Sequence, residues 1–143
     1  MKTKSLGFIG GGRITRIFLQ AFAHKKAIFD SITVFDTNPD TLQDLKLKFP
    51  YIQIVGSIEE TAQKDIVFLA LHPPVIMETL EKIKSAVSDQ TIFISLAPKI
   101  TIAKMASVLP VVQIARLIPN ATSIINHGYN PVCFASNMTE VQK

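Results

Sequence analysis

Short apolar runs alternate along the chain with segments whose apolar residues recur every three or four positions. The runs predict strands, and the recurring spacing predicts amphipathic helices between them. Strands are expected at residues 5–9, 32–35, 52–55, 65–71, 91–95 and 111–117, with one more near 130–135. After its first residue the run at 65–71 is wholly apolar, which is typical of a central parallel strand covered on both faces.

Residues that cap helices mark where several of the predicted helices begin. Asn38 stands at an N-cap position and Pro39 follows it at the first helical position. Ser57 and Glu60 have the spacing of a capping box, and Thr101 caps a later helix. Because strand and helix alternate repeatedly through short connections, we expect an α/β fold with a doubly wound, mostly parallel sheet and helices on both faces.

The composition narrows the classes of protein to which the chain can belong. Of its 143 residues 48% are hydrophobic and 18% are charged, which indicates a globular domain and excludes a disordered chain. The net charge of +4 comes from scattered lysines, so no nucleic-acid partner is expected. No apolar run reaches the roughly 20 residues of a membrane span. A single cysteine excludes a paired-cysteine metal site. We therefore expect a cytoplasmic protein without a metal or a membrane partner.

Three consecutive glycines, Gly10 to Gly12, lie between the first predicted strand and the first predicted helix. Gly10 allows a tight turn, and Gly12 lets a pyrophosphate approach the unpaired N–H groups of the helix N-terminus. The third position of this motif is Thr15, where glycine or alanine is usual, so slightly wider packing of helix on strand is expected. The context predicts a dinucleotide-binding domain of the Rossmann type. The alternative is a glycine corner that binds no ligand.

The kind of dinucleotide depends on Asp36, which follows the second predicted strand, 24 residues after Gly12. A carboxylate at this place accepts hydrogen bonds from ribose hydroxyls, which favours NAD, and it repels the additional phosphate of NADP. The same aspartate also suits the start of the following helix. Because Arg13 and Arg16 are placed where they could pair with a 2′-phosphate, the choice between NAD and NADP stays open.

Four segments of the chain form a pattern that a generic dinucleotide-binding domain has no reason to carry. They are Gly7-Phe-Ile-Gly10 with Gly12, Asp65 to Leu71 with Pro73, Ile92 to Ser95 with Ala97, and Ala115 to Asn120 with Gly128. Together they resemble the pyrroline-5-carboxylate reductase family, which performs the last step of proline synthesis. The resemblance runs from residue 6 to residue 135, and coenzyme F420-dependent NADP oxidoreductases share its first half.

The resemblance implies that NADPH or NADH supplies a hydride to reduce a cyclic imine acid to proline. It also implies that the glycine turn holds the pyrophosphate, the end of the second strand the adenosine ribose, and the later strand ends the nicotinamide. The implied cofactor-binding residues are Gly10, Gly11, Gly12, Arg13, Ile14, Asp36, Thr37, Asn38, Ala70, Leu71, His72, Pro73, Ala97 and Asn120. Among them, Asn120 and His72 are the candidates for orienting the nicotinamide or the substrate.

The sequence departs from the family pattern mainly on the substrate side. His72 stands where the family usually has lysine, Pro98-Lys99 replaces Ala-Gly, and His127 replaces an acid. Two alternatives therefore stay open beside the reductase. One is a dinucleotide-binding or regulatory module without chemistry, and the other is a reductase with a different substrate, F420-linked or another imine.

The resemblance further implies a C-terminal helical domain that forms a dimer and completes the substrate pocket. Residues 1–135 are predicted to form the NAD(P)-binding domain, and residues 136–143 a tail or the start of that missing domain. The complete enzyme is expected to be a homo-oligomer that acts on a small molecule. The 143-residue chain by itself is expected to bind the dinucleotide but to lack efficient turnover, because orientation of both reactants supplies much of the rate.

Overall fold

A seven-stranded sheet lies at the centre of the fold in a computed structural model, which describes residues 2–110 and 113–143. Its strands are β1 (Ser5–Ile9), β2 (Ser31–Phe35), β3 (Gln53–Ile54), β4 (Ile66–Leu69), β5 (Ile92–Ser95), β6 (Ile114–Leu117) and β7 (Val132–Phe134). The helices are α1 (Arg13–Lys25), α2 (Pro39–Lys48), α3 (Ile58–Ala62), α4 (Pro73–Ile83) and α5 (Ile102–Ala106), and a 3₁₀ helix (Ala121–Ile125) precedes β7. In the order β3-β2-β1-β4-β5-β6-β7, every neighbouring pair is parallel except β6 with β7. The predicted Rossmann-type α/β fold is confirmed.

A hydrophobic core lies on each face of the sheet, because successive side chains of a strand point to opposite faces. Phe8 of β1 and Phe68 of β4 belong to the core that α1 and α2 cover, and their rings stack with centroids 4.7 Å apart. Ile9 and Leu69, the next residues along, belong to the core that α3, α4 and α5 cover. Both faces are therefore closed to solvent, and the ends of the strands are left for ligands.

The strand bounds differ from the predicted ones at several ends. The edge strand β3 has only two residues, where residues 52–55 were expected, and it pairs with one neighbour alone. Strand β4 is four residues long and ends at Leu69, before the predicted end at Leu71, because the chain turns there toward the start of α4. Val111 and Val112, the predicted start of the sixth strand, lie outside the described residues.

Two of the predicted helix caps are confirmed by hydrogen bonds. The Asn38 side chain accepts hydrogen bonds from the backbone N–H groups of Asp40 and Thr41, at 3.0 and 3.4 Å. The Thr101 hydroxyl accepts one from the N–H of Lys104 at 3.2 Å. Within the part of the chain that the structure describes, no helix is both long enough and apolar enough to cross a membrane.

The capping box predicted at Ser57 is wrong. The Ser57 hydroxyl donates to the Glu59 carboxylate at 2.6 Å, and its side chain makes no cap to the backbone of α3. Ser57 stands at the N-cap position of α3, but its hydroxyl is directed to the Glu59 carboxylate, a charged acceptor that forms a strong hydrogen bond, and its oxygen accepts no backbone N–H of the helix. This hydrogen bond is also the largest cause of the lowered pKa of Glu59.

Residues 136–143 contain turns, and Met138 among them is only 4% exposed. Met138 therefore packs against the domain, while most of the other residues of this segment are exposed. The domain boundary at residue 135 remains a prediction.

Candidate functional site

The carboxyl ends of β1, β2, β4 and β5 meet at one edge of the sheet, beside the glycine turn. The backbone N–H of Gly10 donates to the carbonyl of Phe35, at the end of β2, over 2.8 Å. The N–H of Ala70, after β4, donates to the carbonyl of Ile9, also over 2.8 Å. The turn is thus fixed between β2 and β4, where the strand order reverses and where sheets of this kind bind their ligands.

Gly10 occupies a position that only glycine fills without strain. Its φ is +105°, a conformation that residues with a side chain rarely adopt. A Cβ at this position would also overlap the backbone carbonyl of Ala70, which is fixed by the sheet. The tight turn predicted for Gly10 is therefore present, and its backbone packs directly against the backbone of Ala70 after β4.

Gly12 leaves open space at the first turn of α1. It is the N-cap of that helix, with an extended backbone at a φ of −76°. Among the described residues, no heavy atom beyond its chain neighbours lies within 4 Å of the point where a Cβ would stand. The first N–H groups of a helix lack helical partners, and the helix dipole favours negative charge beside them. These residues therefore fit a phosphate group that approaches the backbone at Gly12.

The Asp36 carboxylate joins the end of β2 to the glycine turn. One of its oxygens accepts the N–H of Gly11 at 2.8 Å, and the other accepts the N–H of Asn38 at 2.8 Å. Gly11 itself is buried, and a Cβ there would stand 3.0 Å from the side chain of Leu45 in α2. Asp36 is thus held half-buried at the edge of the site by two backbone donors.

Thr15, at the third position of the glycine motif, is completely buried. Its hydroxyl donates to the carbonyl of Gly10 over 2.6 Å. The hydroxyl therefore satisfies a buried backbone acceptor of the turn, which the usual glycine or alanine could not do. This contact explains how the turn accommodates a residue larger than the motif expects.

Thr15→Val is expected to lower the free energy of unfolding by about 1–3 kcal/mol, because the isosteric change leaves a buried carbonyl without a donor. Urea denaturation of the two proteins measures the difference. Thr15→Ser is the matched control, since it keeps the hydroxyl and loses one methyl group, at a cost of about 1 kcal/mol. Equal stability of Thr15→Val and the unchanged protein would contradict the assigned hydrogen bond.

Two adjacent clefts open on either side of the turn, and Leu71 lines both. The β5-side cleft, of about 280 Å³, is lined by Gly12, Arg13, Ile14, Ala70, Leu71, His72, Pro73, Leu96, Ala97 and Pro98. The β2-side cleft, of about 450 Å³, is lined by Ile9, Gly10, Phe35, Asp36, Thr37, Ile58, Leu71, Val75, Glu78, Thr79 and Lys82. The two clefts adjoin at Leu71, one beside the end of β2 and the other beside the end of β5.

The structure brings together all but three of the predicted cofactor contacts at these clefts. Gly11, which is buried, and Asn38, which is exposed, line neither cleft, and their N–H groups hold Asp36. Asn120 lies outside both clefts, and its side-chain oxygen accepts the N–H and the hydroxyl of Thr122 at 3.0 and 2.6 Å. It therefore caps the 3₁₀ helix, and its role beside the nicotinamide stays a prediction. His72 is exposed at the N-cap of α4 and lines the β5-side cleft.

One face of α4 belongs to the site but was missed in the sequence. Val75, Glu78, Thr79 and Lys82 line the β2-side cleft. Their spacing of three and four residues is the signal that could have shown a shared helix face. Lys82 lies 2.7 Å from Glu78, and its hydrogen bond and charge hold the pKa of Glu78 below its ordinary value.

Comparisons with known sequences agree with this geometry. A family model described as NADP oxidoreductase, coenzyme F420-dependent, matches residues 5–99. The pyrroline-5-carboxylate reductase of Escherichia coli (strain K12) is 30% identical over 132 residues, which are 90% of this chain and 49% of that protein. The chain spans about half the length of the curated relatives that it matches.

Two solved structures share the fold. The pyrroline-5-carboxylate reductase of Coxiella burnetii superposes with a TM-score of 0.87 at 24% identity, over 99% of this chain and 53% of that one. The pyrroline carboxylate reductase of Plasmodium falciparum, solved with NADP bound, gives a TM-score of 0.80 at 20% identity, over 99% and 52%. The resemblance to pyrroline-5-carboxylate reductases that the sequence suggested is thereby confirmed.

Proposed function

We propose that the glycine turn binds the pyrophosphate of a nicotinamide dinucleotide, since this chain belongs to the family of coenzyme F420-dependent NADP oxidoreductases. The observation that carries this proposal is the open backbone at Gly12, at the N-terminus of the 13-residue helix α1. Negative phosphate oxygens there accept N–H hydrogen bonds and face the positive end of the helix dipole. The exposed Arg13 next to this position adds positive charge.

The two clefts suit the two ends of such a molecule. In the β2-side cleft Asp36 and Thr37 offer oxygen atoms to ribose hydroxyls, while Ile58 and Val75 offer apolar surface to an adenine ring. In the β5-side cleft Leu96, Ala97 and Pro98 form an apolar wall that suits a nicotinamide ring. We therefore propose that the adenosine end lies over β2 and the nicotinamide end over β5.

The residues of the β5-side cleft have the roles of orienting the ring and excluding water from it. The cofactor supplies the hydride when bound, and the protein contributes position and electrostatics. Ala97 and Leu96 are 2% and 7% exposed, so water does not reach the site from their side. His72, at the exposed rim, offers a ring N–H to a carbonyl or carboxylate oxygen of a bound molecule.

For the whole protein we propose the reduction of a cyclic imine acid, as the names of its pyrroline-5-carboxylate reductase relatives suggest. Those relatives run to about twice the length of this chain. A further helical domain and a second subunit are proposed to complete the substrate pocket. This chain therefore supplies the cofactor half of the enzyme, and turnover by it alone is expected to be poor.

Titration of the chain with NADH and with NADPH, followed by nicotinamide fluorescence, tests the proposed function. We expect saturable binding of at least one of them, and little oxidation of it when pyrroline-5-carboxylate is added. Turnover at the rate of a complete reductase would show that the chain needs no further domain. If neither dinucleotide binds at millimolar concentration, the proposal is wrong.

A dinucleotide-binding module without chemistry is the second candidate. The capping role of Asn120 favours it, because the side-chain oxygen of this candidate already accepts two hydrogen bonds from Thr122 and only its amide N–H groups could orient a substrate. An assay of the whole protein, with its proposed further domain, distinguishes the two candidates. A reductase oxidises the dinucleotide when a cyclic imine is added, and a module without chemistry does not.

A further inference from the structure

The β2-side cleft holds the charges that determine which dinucleotide it accepts. We infer that Asp36 makes the site selective for NADH over NADPH, an inference that rests on the proposed function. The two cofactors differ only by a 2′-phosphate on the adenosine ribose. A charged group fixed at the end of β2, beside that ribose, therefore discriminates between them.

Two backbone hydrogen bonds fix the Asp36 carboxylate in place. Its oxygens accept the N–H groups of Gly11 and Asn38, each at 2.8 Å. A carboxylate has about four lone-pair sites, so roughly two stay free to accept hydrogen bonds from the 2′- and 3′-hydroxyls of a ribose. Turning the side chain away from a 2′-phosphate would break both backbone hydrogen bonds. The negative charge therefore stays at the edge of the cleft.

The cation that lines this cleft is already paired. The Lys82 ammonium lies 2.7 Å from the Glu78 carboxylate, and both side chains line the cleft together with Asp36. The two opposite charges of this ion pair offset each other, and the contact lowers the pKa of Glu78. Arg13 lines the other cleft. Among the described residues that line the β2-side cleft, no unpaired cation is therefore available to a 2′-phosphate.

Dissociation constants for NADH and NADPH, measured by the same fluorescence titration, test this inference. For the unchanged protein we expect NADPH to bind on the order of tenfold more weakly or worse, because like charges meet at a partly solvated site. Asp36→Asn is expected to bring the ratio of the two constants close to one, since the amide keeps an acceptor oxygen and loses the charge. Asp40→Asn is the matched control, because Asp40 is an exposed acid of α2 outside both clefts, and it should leave the ratio unchanged.

A second variant tests the same inference without altering the glycine turn. Glu78→Gln releases Lys82 from its ion pair, so the affinity for NADPH is expected to rise several-fold relative to the affinity for NADH, by about the energy of one exposed charge contact. Glu81→Gln is its control, because Glu81 pairs with Lys84 and lies outside both clefts.

The outcomes separate this inference from the proposed function on which it rests. If NADPH binds the unchanged protein as tightly as NADH or more tightly, the selectivity assigned to Asp36 is overturned and dinucleotide binding stands. If neither binds, the proposed function itself fails. Should Asp36→Asn not fold, the ratio for the unchanged protein and the effect of Glu78→Gln still decide the matter.

Discussion

Replacing Gly12 with aspartate is expected to abolish dinucleotide binding and to leave the fold intact. The new Cβ meets open space, and φ at this position is −76°, so the substitution causes neither a clash nor backbone strain. Aspartate is also a good N-cap, and the free energy of unfolding should change by only a few tenths of a kcal/mol. Its carboxylate, however, takes the N–H groups that would bind the pyrophosphate and repels it. We expect a loss of affinity on the order of 100-fold or more.

Gly56→Asp is the matched control for Gly12→Asp. Gly56 also has open space around the position of a Cβ, and its substitution introduces the same negative charge. Gly56 lines neither cleft. Fluorescence titration with NADH and NADPH compares the two variants, and urea denaturation shows that each is folded. Binding that survives Gly12→Asp but is lost in Gly56→Asp would place the phosphate elsewhere and refute the assignment.

Replacing Gly10 with alanine is expected to lower the free energy of unfolding by about 2–4 kcal/mol. The φ of +105° strains any residue with a side chain, and the added methyl group overlaps the carbonyl of Ala70. That carbonyl belongs to the backbone directly after β4, so it cannot move aside as the end of a flexible side chain could. Urea denaturation at an unchanged m-value measures the loss.

Gly56→Ala serves as the control for Gly10→Ala. The substitution adds the same methyl group at a residue whose φ is not positive and whose Cβ position has open space around it. The free energy of unfolding is therefore expected to change by no more than about 0.5 kcal/mol. If Gly10→Ala were as stable as Gly56→Ala, the turn would not have the close packing described here.

Local sequence signals predicted the fold well, because they depend on residues near one another in the chain. The strand Ser5–Ile9, the start of α1 at Arg13 and the cap at Asn38 agree with the structure, since each depends on a short pattern. The location of the site followed in turn from the rule that parallel strand ends meet at one edge. Side chains after β1, β2, β4 and β5 do line the two clefts.

The remaining features depend on contacts between segments far apart, which no local pattern specifies. The hydrogen bond from Gly11 to Asp36 spans 25 residues, and the hydroxyl of Thr15 reaches the carbonyl of Gly10 only after the turn has formed. The capping box did not form, because the Ser57 hydroxyl is directed to the Glu59 carboxylate and not to a backbone N–H of α3. The face of α4 that includes Lys82 was missed, since it enters the site only through the packing of that helix against the sheet.

The central claim is that a dinucleotide binds across the glycine turn, and amide chemical-shift mapping by NMR tests it most directly. Isotope-labelled chain is titrated with NADH and, separately, with NADPH. The largest shifts are predicted at the amides of Gly11, Gly12, Arg13 and Ile14, with further shifts at Leu71, His72 and Ala97 on one side and Thr37 on the other. Shifts confined to other surfaces, or no shifts at saturating concentrations of either dinucleotide, would contradict the account.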